Sequence, residues 1–147
     1  MKTISYRVEV DDDVKFSAED FTRSVQIYLA DPYGWETKGY KFVYSPRGRV
    51  VITLSSPETL SKQGCFDGRL SCASLGGTEM RINSARWMRG SSKSKLSLDD
   101  YRQYVISHEM GHILGFNHVK CPKKGEPAPI MLQQTLGIGE CKPNTRV

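Results

Sequence analysis

All three histidines of the chain lie within the eleven residues from His108 to His118. They form the pattern His-Glu-x-x-His-x-x-Gly-x-x-His, which consists of His108, Glu109, His112, Gly115 and His118. Imidazole nitrogen is a preferred ligand of zinc, and this spacing is that of a catalytic zinc site. The pattern therefore predicts a metal centre that activates water.

The first two histidines are four residues apart, so on a helix they project from one face, one turn apart. Gly115 allows the chain to turn after the helix, and we expect His118 to return as the third ligand. Three neutral imidazoles leave a fourth position for water. We therefore predict that His108, His112 and His118 bind one Zn²⁺ ion. Three imidazoles also suit cobalt or copper.

Glu109 follows the first predicted ligand directly. A carboxylate at this position can accept a proton from water as general base and pass it to the leaving amine as general acid. We therefore predict that Glu109 is the catalytic residue. No dinucleotide- or phosphate-binding glycine loop precedes a helix, so zinc is the only cofactor that the sequence predicts.

The four cysteines, Cys65, Cys72, Cys121 and Cys141, contain no Cys-x-x-Cys pair, which argues against a structural zinc site. They permit three disulfide pairings, of which Cys65 with Cys72 and Cys121 with Cys141 is the simplest. Disulfides favour an oxidising compartment, so we expect an extracellular or cell-envelope location. The alternative is that the thiols are reduced. Residues 1–13 carry three consecutive acids and no apolar run, so they do not contain a secretory signal.

The composition is that of a soluble globular protein. A chain of 147 residues can bury one core but not two, so we predict one domain over 1–147, with an N-terminal part, 1–115, and a C-terminal part, 116–147. No apolar run is long enough to span a membrane. The net charge of +5 is scattered, which predicts a mildly basic surface rather than nucleic-acid binding, and leaves a preference for acidic substrates or anionic wall polymers open. We expect a monomer.

The elements that position the motif begin with strands and one helix. Residues 3–10 alternate as a strand, and Ser17 is expected to cap a helix that ends near Asp31. Residues 40–44 and 49–54 are predicted to be strands, and the Ser-Pro-Arg-Gly sequence between them predicts a hairpin.

The second half of the chain carries the motif. We predict a short strand within 70–75 and a further strand over 80–87. Ser97 is expected to cap the long helix that bears the first two histidines, and a coil held by cysteines follows Gly115. This order of elements predicts an α+β fold in which helices pack against one sheet.

The stretch from Tyr101 to His118, followed by Pro129-Ile130-Met131, resembles the metzincin clan of zinc endopeptidases. Metzincins have this histidine pattern and a downstream methionine in a tight turn beneath the metal. Met131 is the candidate for this Met-turn, and the alternative is that it fills the core. Some metzincins have a tyrosine ligand two residues after that methionine. Here the position is Gln133, so we predict no tyrosine ligand.

Further segments resemble a family of small bacterial metzincin-like proteins, and together they cover most of 35–144. They are Val50–Pro57, Leu70–Cys72, Ile82–Asn83, Arg86–Trp87, Tyr101–Arg102, Cys121–Pro122 and Cys141–Asn144. The resemblance implies a twisted mixed sheet with a backing helix at 17–30, a zinc-site helix and a short, coil-rich C-terminal subdomain with the Met-turn. It also implies a protein or peptide substrate that is bound extended along an edge strand, for which 70–75 is the candidate.

The sequence therefore predicts a secreted zinc endopeptidase. Two alternatives stay open: an interaction module of metzincin fold that holds zinc without hydrolysing anything, and an amidase that acts on a cell-wall substrate. The intact Glu109 favours an enzyme. Trp87 is expected to pack under the sheet, and the alternative is that Arg86 and Trp87 contact substrate.

Overall fold

The computed structural model describes residues 1–65 and 67–147, and within them the fold is mixed α+β. The strands and helices are, in chain order, β1 (Lys2–Val10), α1 (Ala18–Leu29), β2 (Tyr40–Tyr44), β3 (Val50–Ser55), α2 (Pro57–Lys62), β4 (Cys72–Ala73), β5 (Glu79–Asn83), α3 (Ser84–Arg89) and α4 (Leu98–Ile113). Short 3-10 helices lie at Trp35–Lys38, Ser92–Ser94 and Gln134–Leu136.

The strands form one five-stranded sheet in the order β2-β1-β3-β5-β4. β1, β2, β3 and β5 are parallel, and β4 pairs antiparallel with β5 at the edge of the sheet. The sheet is therefore mixed, as expected. Its antiparallel edge falls within the segment 70–75, although only Cys72–Ala73 of that segment is strand.

The predicted hairpin between β2 and β3 is wrong. Both strands pair in parallel with β1, on its opposite sides: Tyr44 lies opposite Tyr6 on one side, and Val50 lies opposite Tyr6 on the other. The connection crosses β1 at this residue, where Ser45 N donates to Tyr6 O at 2.9 Å. A Cβ on Gly48 would lie 2.1 Å from the carbonyl carbon of Tyr6, so only glycine fits the crossing. Turn residues predict a bend but do not determine which strand becomes the neighbour.

The predicted strand over 80–87 is half right. β5 ends at Asn83, because the Asn83 side chain accepts hydrogen bonds from Ala85 N and Arg86 N at 3.0 and 3.2 Å and so caps α3. Trp87 therefore lies on a helix. It is fully buried in the core, where its ring meets that of Phe21 edge-on at 4.9 Å, as expected of a packing residue.

No helix was predicted between the strand at 49–54 and the strand within 70–75, so α2 is an additional element. Ser56 caps it, because its side chain accepts a hydrogen bond from Thr59 N at 3.1 Å, and Pro57 occupies the first turn. The two predicted caps are confirmed: Ser17 accepts from the backbone N–H three residues on in α1, and Ser97 does so in α4.

The main core lies where α1, α3 and α4 pack against the sheet. The C-terminal coil has a small apolar cluster of its own around Ala128, Leu132 and Cys141. Both disulfides have the simplest pairing, Cys65–Cys72 and Cys121–Cys141, and the second lies in this coil. Among the described residues, no helix is long and apolar enough to cross a membrane. The division of the chain at residue 115 stays a prediction.

Candidate metal centre

The structure brings the three predicted ligands together. His108 and His112 lie one turn apart on α4, with ring centroids 5.0 Å apart. His118 follows the helix, and its Nε2 lies 3.0 Å from His112 Nε2. The nitrogen atoms that the three side chains offer all lie within 4.8 Å of one another. This group could hold a metal ion.

The return of His118 begins at Gly115, whose φ of +103° is a conformation that favours glycine. Gly115 N donates to His112 O, and Phe116 N donates to Gly111 O, both at 2.9 Å. Val119 N then donates to Met131 O at 3.1 Å, which ties the segment to the C-terminal coil. The predicted role of Gly115 in ending α4 is confirmed.

Backbone carbonyls fix the orientation of the two helical imidazoles. His108 Nδ1 lies 2.8 Å from Ile130 O, and His112 Nδ1 lies 2.8 Å from Phe116 O. A carbonyl oxygen can only accept, so both Nδ1 atoms carry the proton and donate. Each Nε2 is therefore left with the lone pair that a metal requires.

The protonation states also suit a metal. Burial, together with the neighbouring His112 and His118 imidazoles, lowers the pKa of His108 to about 3. Partial desolvation and the neighbouring His112 imidazole also lower the pKa of His118. Neutral imidazole is the form that binds metal ions, and three of them fit zinc, cobalt or copper. The chemistry of this donor set therefore fits a divalent cation, while the identity of the metal is not determined by it.

Glu109 is buried beside these histidines, with 4% of its surface exposed. Its Oε2 has no hydrogen-bond partner among the described residues. Burial raises the pKa of Glu109 to about 8. A buried carboxyl group without a protein partner calls for a ligand or water beside it. Glu109 and the three histidines line one cavity of about 270 Å³.

The sheet edge also lines this cavity. The lining includes both residues of β4, with Leu70, Ser71 and Leu75 on either side in the sequence. The segment predicted as a substrate-binding edge therefore lines the same cavity as the predicted metal ligands. Gln133, at the position where some metzincins have a tyrosine, also lines it.

Gly111 has a role in the site that sequence reasoning missed. A Cβ at this position of α4 would lie 2.3 Å from Met131 Sδ and 2.8 Å from Trp35 Cζ2. The absence of a side chain therefore lets the coil that carries Ile130 approach the helix, and Ile130 O orients His108. The only sequence signal was a glycine inside the helical part of the motif.

Tyr104 was also missed, because its spacing on α4 is equally typical of a core residue. Its ring lies 5.2 Å from the His108 ring. Its hydroxyl accepts from Gln134 N at 2.9 Å and donates to Leu132 O at 3.2 Å. Tyr104 therefore joins α4 to the coil that follows Met131.

Comparison with known proteins establishes a family. The chain belongs to the family described as "Protein of unknown function (DUF3152)", whose model matches residues 1–144. No curated protein sequence matches it.

Two solved structures are similar to this chain. Archaemetzincin from Methanopyrus kandleri is similar with a TM-score of 0.54 and 15% identity, over 96% of this chain and 88% of that one. Myroilysin has a TM-score of 0.43 and 19% identity, over 80% of this chain, and this chain spans about half of its length (49%). The likeness to archaemetzincin supports a metzincin-like fold.

Proposed function

We propose that this protein is a zinc-dependent endopeptidase. The observation that carries the proposal is the convergence of three imidazoles beside a buried glutamate whose Oε2 has no partner among the described residues. A purely structural metal site needs no such carboxyl group, whereas hydrolysis needs a base. The metzincin-like fold agrees with this assignment.

His108, His112 and His118 would hold the zinc ion. When it is bound, zinc polarises the scissile carbonyl group and lowers the pKa of water. Glu109 accepts the proton of the attacking water at its carboxylate and delivers it to the nitrogen of the leaving amine. Among the described residues, the lining of the cavity includes no lysine or arginine that would pair with Glu109 and weaken it as a base.

The substrate would be a protein or peptide in extended form. β4 is the last strand of the sheet, so among the described elements one of its edges has no neighbouring strand, and both of its residues line the cavity. An extended peptide can pair with such an edge by β-augmentation. Met131, which packs beneath Gly111, would form the Met-turn that supports the metal centre.

We further propose that the protein acts as a monomer in an extracellular or cell-envelope compartment. The two disulfides support this location, because such bonds persist under oxidising conditions.

The test is mass-spectrometric detection of cleavage in unfolded proteins and in cell-wall fragments. The zinc-loaded protein is compared with Glu109→Ala and with Glu140→Ala, which removes an exposed glutamate outside the cavity. We expect cuts in proteins from the unchanged chain and from Glu140→Ala, and none from Glu109→Ala although it still binds zinc. Cuts confined to wall fragments would instead indicate the amidase. One bound zinc ion with no cuts would indicate the interaction module.

A further inference from the structure

A second cavity, of about 450 Å³, adjoins the metal centre. It shares three lining residues, Leu70, Gln133 and Thr135, with the cavity that contains Glu109 and the histidines. The two cavities are therefore neighbours on the molecule, and a substrate bound at the metal centre would lie close to the second cavity.

The two cavities differ in charge. In the part of the chain that the structure describes, the residues that line the metal-centre cavity include one carboxyl group and no lysine or arginine. The second cavity is lined by Arg69, Arg86 and Lys93, and no acidic residue is among its described lining residues. Arg69 is already paired with Asp67, at 2.7 Å. Arg86 and Lys93 form no ion pair among the described residues, so the cavity contains two cations without a carboxylate partner.

Hydrogen bonds hold the walls of this second cavity. Arg86 Nε donates to Arg69 O at 3.1 Å, which joins α3 to the segment before β4. Ser91 Oγ donates to Thr135 O at 2.6 Å, and the Thr135 hydroxyl lies 2.9 Å from the Tyr101 hydroxyl. Among the described residues, the walls are therefore held by hydrogen bonds before any ligand arrives, and one of these bonds fixes the Arg86 guanidinium, which reduces the entropic cost of binding at that side chain.

We propose that this second cavity is a subsite that binds a carboxylate group of the substrate. The proposal rests on the proposed function where it concerns the bond that is cut. The preference for binding a carboxylate rests only on Arg86 and Lys93, the two cations without a carboxylate partner among the described residues. Guanidinium pairs with carboxylate through parallel hydrogen bonds, and the lysine ammonium adds a point charge. The same cations oppose a lysine or arginine side chain in this position.

The carboxylate has two sources. It belongs either to an aspartate or glutamate side chain near the scissile bond or to the C-terminus of the substrate. Peptides with a free and an amidated C-terminus separate the two sources, because only the terminal carboxylate is lost on amidation.

The first arm of the test measures hydrolysis. Peptide sets that differ only by Glu, Gln or Lys at one position are presented to the unchanged chain, to Lys93→Glu and to Arg86→Gln. Lys41→Glu is the matched control, since it makes the same charge change on β2, at the opposite edge of the sheet. We expect kcat/KM for the Glu peptide to exceed that for the Gln peptide by about fivefold at one position, as partly exposed ion pairs allow. Lys93→Glu and Arg86→Gln should lose this preference, and Lys41→Glu should keep it.

The second arm measures binding of the same peptides by fluorescence anisotropy to Glu109→Ala, which needs no turnover. One outcome is that Glu peptides bind more tightly than Gln peptides, that Lys93→Glu abolishes this difference, and that the unchanged chain hydrolyses none of the peptides. This outcome would support the subsite and contradict the peptidase. Hydrolysis without a charge preference at any position, or acidic peptides that bind no better than their amide counterparts, would overturn the subsite. Lys93 is exposed, so a normal melting temperature is expected for Lys93→Glu and separates a lost preference from a lost fold.

Discussion

The two halves of the metal centre are built in different ways. The helical half consists of His108, Glu109 and His112 on α4, of which the first two are buried, and its geometry follows from the repeat of one helix. The other half is His118, which is exposed on the coil after Gly115. Its position depends on contacts with residues that are distant in the sequence, such as the hydrogen bond from Val119 N to Met131 O. One site therefore combines a locally determined part with a part determined by tertiary structure.

This difference predicts that the two halves respond differently to mutation. Changes in the helical half should affect folding and metal binding together. Changes in the coil half should affect metal binding with little effect on the core. The following predictions test that separation, from the largest expected effect to the smallest.

The largest effect is expected from loss of a ligand. His108→Ala and His118→Ala should each lower zinc affinity by more than about 100-fold, beyond the cost of losing a supporting hydrogen bond. Only His108→Ala should also destabilise the metal-free protein, by about 1–3 kcal/mol, because it leaves Ile130 O without its buried partner. Calorimetric zinc titration and urea unfolding with a chelator measure the two quantities. Equal stability losses in both variants would contradict the distinction between the halves.

The next effect concerns the disulfide of the coil. Replacing Cys121 and Cys141 by Ala should reduce the free energy of unfolding by about 3 kcal/mol, as expected for a loop of this length. It should also weaken zinc binding, because the coil that it closes positions His118. The matched control replaces Cys65 and Cys72, which should lower stability without weakening zinc binding. A loss of zinc affinity in the control as large as in the first variant would contradict the assignment of the coil.

A smaller effect is expected where the halves meet. Gly111→Ala should cost about 1–3 kcal/mol of unfolding free energy, because the new methyl group would overlap Met131 Sδ and Trp35. The double variant Gly111→Ala/Met131→Ala should cost less than the sum of the two single changes, since the shortened side chain makes room. Denaturant unfolding of all four proteins measures this coupling. If the two losses of unfolding free energy simply add in the double variant, the Met131 side chain does not limit the space at position 111.

The sequence predicted the helical half well because its signals are local. A serine cap, a four-residue histidine spacing and a glycine after the helix each act over a few residues. The crossing of β1 by the β2–β3 connection was not predictable in this way, because it depends on the contact between Gly48 and Tyr6.

The second cavity was also not predicted, and the reason is related. Residues 80–87 alternate well enough to predict a continuous strand, but the Asn83 cap begins α3, which places Arg86 in the lining of the second cavity. A strand and a short helix that share one segment give no clear periodicity. The charges were visible in the sequence, whereas their grouping beside the metal centre depends on tertiary structure.

The most direct test of the central claim is a zinc titration of the metal-free protein in which peptide hydrolysis and bound zinc are measured in the same samples. For the unchanged chain, we predict that hydrolysis rises in proportion to bound zinc and stops at one ion per chain. Glu109→Gln should bind zinc to the same level without hydrolysis. Hydrolysis by the metal-free protein, or equal hydrolysis by Glu109→Gln, would contradict a metal centre in which Glu109 is the base.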